Sequence, residues 1–222
     1  MTKRGVFITF EGGDGTGKST QAKLLQQSLL AAGIDALLTR EPGGTPQAER
    51  IRDLLLQRDS GAFDPLTEAL LMFASRREHI VNKILPALEK GQWVISDRFA
   101  DSTRAFQGAG MGLDAEKIET LYHLVAGDFQ PDLTLIFDLD PEVGLARSTK
   151  KAADTKTTED RYERMGLAFH QRLREGFLQI AKKFPTRCVI IDAGQDTQTV
   201  HQQVLKVVET RLGASLKGCA HG

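Results

Sequence analysis

Short apolar runs alternate along this chain with longer segments in which apolar residues recur at helical spacing. Val6-Phe7-Ile8-Thr9-Phe10 is β-branched and aromatic, the make-up of a buried strand, and a glycine-rich turn follows it. From Lys18 onward Ala22, Leu25 and Leu29 share one face, which predicts a helix stopped by Gly33. Ile34 to Thr39 reads as a second strand, and the loop Arg40-Glu41-Pro42-Gly43-Gly44-Thr45 leaves its end. Ile51, Leu54 and Leu55 give the next helix its apolar side. Pro65 opens a longer helical stretch containing Leu70, Leu71, Phe73 and Ile80, with a bend expected near Pro86. Trp93 to Ser96 is the third strand and delivers Asp97 and Arg98 at its carboxyl end. Ile118, Leu121, Tyr122 and Val125 mark another helix, and Leu133 to Leu139 and Cys188 to Ile191 are the fourth and fifth strands.

Strands alternating with helices predict an α/β fold, a five-stranded parallel sheet flanked by helices and joined by right-handed crossovers. Such sheets bind ligands beyond the carboxyl ends of their strands. The glycine-rich turn, the 40–45 loop and Asp97-Arg98 all fall there. No repeat or linker divides residues 1–212, which are expected to form a single domain. Lys150 to Asp160 is polar, rich in Lys and Thr and without apolar period, so a mobile loop is expected there. Residues 213–222 are expected to be a frayed tail.

Charge and cysteine content narrow the function classes. Lys+Arg and Asp+Glu both number 29 in 222 residues, so the formal net charge is zero. That argues against a protein gripping nucleic acid through a broad basic face. Cys188 lies in an apolar run and Cys219 in a polar tail, without metal-type spacing, and a reducing compartment is expected. Lys3 and Arg4 precede an apolar stretch, but Glu11 cuts it short of a signal-peptide core. No run approaches the roughly 18 apolar residues of a membrane helix. A cytoplasmic protein without a membrane partner is the expectation.

Gly12-Gly13-Asp14-Gly15-Thr16-Gly17-Lys18-Ser19 matches G-x-x-x-x-G-K-[ST] directly after a strand and before a helix. Small residues let successive backbone N–H groups turn inward around phosphate oxygens, and the helix N-terminus adds positive potential. Lys18 can reach the β- and γ-phosphates of ATP, and the Ser19 hydroxyl can ligate Mg²⁺. With Thr20 closing the turn, residues 12–20 are the expected phosphate site. A GTPase would add Asn-Lys-x-Asp; Asn82-Lys83 continues with Ile84-Leu85 and lacks that carboxylate.

Further segments follow in order: Thr39-Arg40-Glu41-Pro42-Gly43-Gly44-Thr45, Met72-Phe73-Ala74-Ser75-Arg76-Arg77-Glu78-His79, Asp97-Arg98-Phe99, Ser102-Thr103-Arg104-Ala105-Phe106-Gln107-Gly108, Gly127-Asp128-Phe129-Gln130-Pro131-Asp132-Leu133-Thr134 and Asp160-Arg161-Tyr162-Glu163. With the P-loop they make the chain resemble bacterial thymidylate kinase from Phe10 to about Leu212. The resemblance implies the three-layer nucleoside-monophosphate-kinase fold with a lid at about 147–162, MgATP as donor, dTMP as acceptor and a homodimer. Arg98, at a strand end beside a P-loop, can pair bidentately with the acceptor phosphate. By the resemblance Asp97 organises Mg²⁺ and its waters, Glu41 and Arg52 line the acceptor site, and Thr103 and Gln107 contact the base edge. Phe73 can stack on thymine and Arg76 can donate to its O4; the family's usual offset before that arginine falls on Met72. The resemblance turns Asp14 toward the sugar 3′-hydroxyl, and Phe106 stands where Tyr is frequent, crowding the 2′ position.

No general base is required, because the acceptor phosphate is already largely dianionic near pH 7. Catalysis then rests on positioning and on cations, and His79 is expected to be structural or exposed. Some thymidylate kinases carry a P-loop arginine where this chain has Gly15, so its cations are expected from the lid: Lys150, Lys151, Lys156 and Arg161, with Arg147 and Arg98 as further candidates. Lys151 stands where the family's lid has arginine. Lysine lacks the planar fork, so Arg161 is expected to carry more of the catalytic work. Another nucleotide kinase and a P-loop switch are the competing readings. Arg76, Arg98 and the missing guanine reader argue against the switch.

Overall fold

The computed structural model of the chain describes residues 4–56, 63–155 and 161–216. Its elements run β1 (Phe7–Gly12), α1 (Lys18–Ala31), β2 (Ala36–Arg40), α2 (Pro46–Leu56), α3 (Pro65–His79), α4 (Leu85–Glu89), β3 (Trp93–Asp97), α5 (Ala100–Thr103), α6 (Ala115–Ala126), β4 (Leu133–Asp138), α7 (Pro141–Thr155), α8 (Gly166–Lys183), β5 (Cys188–Asp192) and α9 (Thr197–Leu212). The five strands are parallel in the order β2-β3-β1-β4-β5. β1 is central and wholly buried, as a strand covered on both faces must be. Its alternate residues feed different cores. Ile8 and Phe10 pack with Leu25 and Leu29 of α1 and Val200 and Val204 of α9, whereas Phe7 packs with Phe73, Ile80, Phe99 and Ile118. Among the described residues no helix is long and apolar enough to cross a membrane.

Helical winding is continuous from Pro65 to Glu89, and the bend expected near Pro86 is a π-turn over Ile80–Ile84, with Leu85 N–H donating to Ile80 O. The wider turn relieves the clash that the ring of Pro86, which has no N–H to give, would otherwise make with the preceding turn. A second π segment, Arg104–Gly110, carries Phe106 and Gln107.

Two expectations are corrected. Lys150 to Thr155 is not loop but the last turn and a half of α7. Pro141 opens that helix, the Asp140 carboxylate accepts from Glu142 N (2.9 Å), and the Lys- and Ala-rich sequence favours helix without an apolar stripe. Residues 156–160 lie outside the described residues. The tail is folded over 213–216: Leu216 is buried in the core and its N–H donates to Glu209 Oε1 (3.0 Å). Residues 217–222 lie outside the described residues. Helices α8 and α9 are additions to the sequence reading, although Phe169, Leu173, Phe177 and Ile180 recur at helical spacing and Asp196 caps α9.

Candidate active site

The P-loop leaves β1 through Gly12, Gly15 and Gly17, all at positive φ. At Gly15 the reason is also steric, since a Cβ there would stand 1.9 Å from the Gly144 carbonyl oxygen of α7. P-loop and α7 therefore touch backbone to backbone, and no side chain fits at residue 15 while they do. Lys18 is buried, its Nζ donating to Gly13 O (2.5 Å) and Thr16 Oγ1 (3.1 Å). Burial and, next, the Arg98 charge push Lys18 down to about 8. The Ser19 hydroxyl donates to Asp97 Oδ2 at the end of β3 in a short contact.

Among the described residues Arg98 is the non-glycine residue at positive φ, 74°, a conformation costing about 1–3 kcal/mol. Its N–H donates to Phe10 O (2.9 Å) and its own carbonyl accepts from Ser96 Oγ (2.7 Å). Glu11 clamps the next turn, accepting from Phe99 N (2.8 Å) and Ser102 Oγ (2.6 Å). The guanidinium is thereby aimed back at the P-loop, donating to Asp14 Oδ1 (2.6 Å), Gly12 O (2.9 Å) and Ser102 Oγ (3.1 Å). Burial first and repulsion from Asp101 second push Glu11 up to about 8. Asp101 itself is held by Arg187 (2.6 and 2.9 Å) and Arg104 (3.0 Å).

From Asp14 and Arg98 a cleft with about 660 Å³ of empty space runs between α2, α3, α5 and the Arg104–Gly110 turn. Glu41, Arg52, Met72, Arg76, Thr103, Phe106, Gln107, Tyr162 and Glu163 line it. Arg76 is 2% exposed yet ionic: Nε donates to Glu41 Oε2 (2.8 Å), and Nη2 to Phe99 O (3.0 Å) and Thr103 Oγ1 (3.2 Å). Its Nη1 is buried without a hydrogen-bond partner. An unpaired buried donor costs about 1–3 kcal/mol, which an acceptor on a bound molecule would offset.

The thymidylate kinase family model matches residues 10–204. The chain belongs to the thymidylate kinase family. It is 50% identical over 210 residues to a thymidylate kinase of Caulobacter vibrioides, covering 95% of this chain and 99% of the relative. It is 49% identical to one of Magnetococcus marinus, covering 96% and 99%. A crystal structure of thymidylate kinase from Ehrlichia chaffeensis superposes with a TM-score of 0.73 at 41% identity, covering 92% of this chain and 99% of that one.

Most of the residues singled out from the thymidylate kinase resemblance come together. Asp14, Glu41, Arg52, Arg76, Arg98, Thr103, Phe106 and Gln107 all line the one cleft, and Arg52 Nη1 donates to Pro42 O (2.9 Å). Phe73 does not: it is 1% exposed in the core with Phe7 and Phe99, its ring 4.8 Å from Arg76 Cζ. Met72 faces the cleft in its place, because one residue turns the side chain about 100° around the helix.

Arg161 is a second correction. It does not face the P-loop; Nη1 donates to Leu55 O (3.2 Å) and Nη2 to the carboxylate of Glu68, a fully buried residue on α3. A guanidinium next to an uncompensated buried carboxylate stays with it. Arg147 donates to Ala193 O (3.2 Å) beyond β5. The side chain of Lys151, and Lys156, lie outside the described residues.

Two side chains support the cleft from behind: His79, expected to be structural or exposed and found structural, and Glu68, which sequence reasoning missed. His79 is fully buried, its Nδ1 bonded to Glu41 Oε1 (2.9 Å) and its Nε2 to Thr39 Oγ1 (2.7 Å). Both Glu41 oxygens are thereby occupied, one by Arg76 and one by His79. Glu68 has no such histidine but gathers Arg161, Tyr162 and Gln107. For Glu68 the available signal was a carboxylate within the apolar stretch Leu66 to Phe73 of α3; His79 follows a polar run and gave none.

Proposed function

We propose that the chain transfers the γ-phosphoryl group of MgATP to dTMP, giving dTDP and ADP. The observation that supports this reading most is a single cleft with a phosphate-type cation, Arg98, beside the P-loop at one end and the unpartnered Arg76 Nη1 further along. ATP would lie on residues 12–20 with Lys18 against its β- and γ-phosphates. Arg98 would exchange Asp14 for the acceptor phosphate, freeing Asp14 to accept from the 3′-hydroxyl. Arg76 Nη1 would donate to thymine O4, Met72 would cover the ring, and Phe106 would crowd the 2′ position against ribose. Ser19 and Asp97 offer a hydroxyl and a carboxylate side by side, a donor set that suits Mg²⁺, which takes few protein ligands and completes its shell from water and phosphates. There it would neutralise charge on the β- and γ-phosphate oxygens.

No residue of the cleft needs to remove a proton, so the work left to the protein is alignment and charge neutralisation. Lys151 remains the lid cation proposed to reach the transferring group. Arg161, tied to Glu68, serves the acceptor side instead. A cytoplasmic location and a homodimer belong to the same reading, the dimer drawing on the exposed Leu54, Leu70 and Leu124 of α2, α3 and α6. A coupled ADP assay with ATP and a panel of nucleoside monophosphates tests the reading. Rapid ADP formation with dTMP supports it; slow hydrolysis indifferent to any acceptor overturns it in favour of a switch.

A further inference from the structure

We infer that Glu68 is the positioning residue that sets base specificity, by fixing the Gln107 carboxamide so that it offers the cleft an acceptor. The inference rests on the acceptor-site reading above and adds to it a residue that never touches the substrate.

Glu68 is fully buried on α3, behind the cleft rather than in its lining. Its Oε1 accepts from Gln107 Nε2 (2.7 Å) and from the Tyr162 hydroxyl (2.7 Å), and its Oε2 from Arg161. A carboxylate only accepts, so it decides which end of the amide faces it. Gln107 must turn its NH₂ toward Glu68. The same nitrogen lies 3.4 Å from Tyr162 Oη, on the Glu68 side, so the NH₂ end of the amide is drawn toward that carboxylate. Burial, and then the Glu68 carboxylate, push the Tyr162 phenol well above its ordinary range, so it remains a donor to Glu68. The end of the amide turned away from Glu68, in a residue that lines the cleft, is the carbonyl oxygen.

The cleft thus pairs a fixed donor with a fixed acceptor, each set by its own buried carboxylate. Glu41 holds Arg76 so that Nη1 is the free donor, and Glu68 holds Gln107 so that its oxygen is the free acceptor. A 4-oxo pyrimidine with N3–H presents the complementary pair, an acceptor at position 4 and a donor at position 3. Cytosine presents the reverse at both positions. Discrimination then comes from polar groups that the wrong base leaves unpaired, the strongest kind available to a binding site.

Glu68→Gln tests this directly. Arg161 requires an acceptor, so the introduced amide would turn its oxygen to Arg161 and its NH₂ to Gln107, and the Gln107 amide would flip. The ratio of kcat/KM for dTMP over dCMP should fall by about tenfold or more, with KM for ATP unmoved. In a Gln107→Ala background the same change should alter the ratio less than about twofold, because nothing remains to be flipped. Glu68→Asp, still a pure acceptor, should keep the ratio even where KM for dTMP rises. An unchanged ratio in Glu68→Gln, or an equal loss with and without Gln107, overturns the inference. Should Glu68→Gln not fold, Tyr162→Phe loosens the same amide and should lower the ratio about threefold; an unaltered ratio there overturns it too. If Gln107→Ala alone leaves the ratio intact, the base-edge reading has failed, and Glu68 falls with it as a distinguishable result.

Discussion

At the P-loop, the proposed recognition comes from eight consecutive residues, whose small side chains leave backbone N–H groups to meet phosphate oxygens. At the far end of the cleft it is built from side chains on α3, α5, the Arg104–Gly110 turn and the chain after 160, drawn from well-separated stretches of sequence. The two ends also manage charge in opposite ways. Burial and then the Arg98 charge depress Lys18, whose Nζ is bonded to the neutral oxygens of Gly13 and Thr16, so this ammonium is the cation left for an anion. Arg76 and Arg161 are each already neutralised by a buried carboxylate. In the proposed reading one end receives charge and the other a pattern of hydrogen bonds.

Removing one cation from each end separates the two. Lys18→Ala should lower kcat by roughly 10²–10³-fold or more, since it removes a charge that acts on the transferring group. Its melting temperature should not fall, because a lysine lowered from 10.5 to about 8 on folding costs stability near neutral pH. The same depression fixes a sign: bound phosphate restores Lys18 to full protonation, so ATP affinity should weaken as pH rises through about 8. Arg76→Ala should instead reduce kcat/KM for dTMP by about 10–100-fold and leave ATP affinity alone. Calorimetric titration of ATP and dTMP on both variants checks the contrast. Equal damage to both substrates in either variant erases the distinction.

The same contrast explains what the sequence could disclose. A P-loop is legible because its chemistry is local: spacing, glycines, lysine and hydroxyl all lie in one window after a strand. The sheet is legible for a related reason, since buried parallel strands are short, continuous and apolar. The base end is legible only in part. Arg76 and Gln107 can be named, but Glu68 and His79 look like ordinary polar residues on a helix until the fold brings Gln107 and Glu41 against them. Met72 and Phe73 differ by one step of helical phase, which periodicity alone does not resolve to the residue. α7 beyond Lys150 escapes a periodicity reading because its helix lacks an apolar face, and Arg161 because its partner is 93 residues away.

Arg161 sharpens the comparison with a smaller effect. A lid cation acting on the transferring phosphoryl group would lower kcat when removed and leave KM for dTMP alone. A residue that neutralises Glu68 should do the reverse. Arg161→Ala is expected to raise KM for dTMP about tenfold, to lower the melting temperature by exposing the Glu68 charge, and to reduce kcat far less. A large loss of kcat at unchanged KM would return Arg161 to the phosphate end.

The last effect is read in stability rather than in turnover and concerns the joint between the two ends, where Glu11 holds the turn that aims Arg98. Its ordinary value near 4.5 rises to about 8 in the fold, through burial and then through Asp101. Between those values the native state binds a proton that the unfolded chain has released. Stability from this group is therefore fully present below about 4.5 and is lost as pH rises to about 8. Glu11→Gln removes the titration without removing the clamp: the amide oxygen still accepts from Phe99 N, and the amide NH₂ can donate to Ser102 Oγ, which is acceptor as well as donor. The variant should match the parent near pH 5 and exceed it clearly in melting temperature near pH 8, since the roughly three pH units between, at about 1.4 kcal/mol each, amount to several kcal/mol. The difference between the two melting curves, followed across that range, must grow with pH. A constant offset would mean that Glu11 is charged throughout, and that the strained turn at Arg98 is held by an ion pair rather than by a neutral carboxyl.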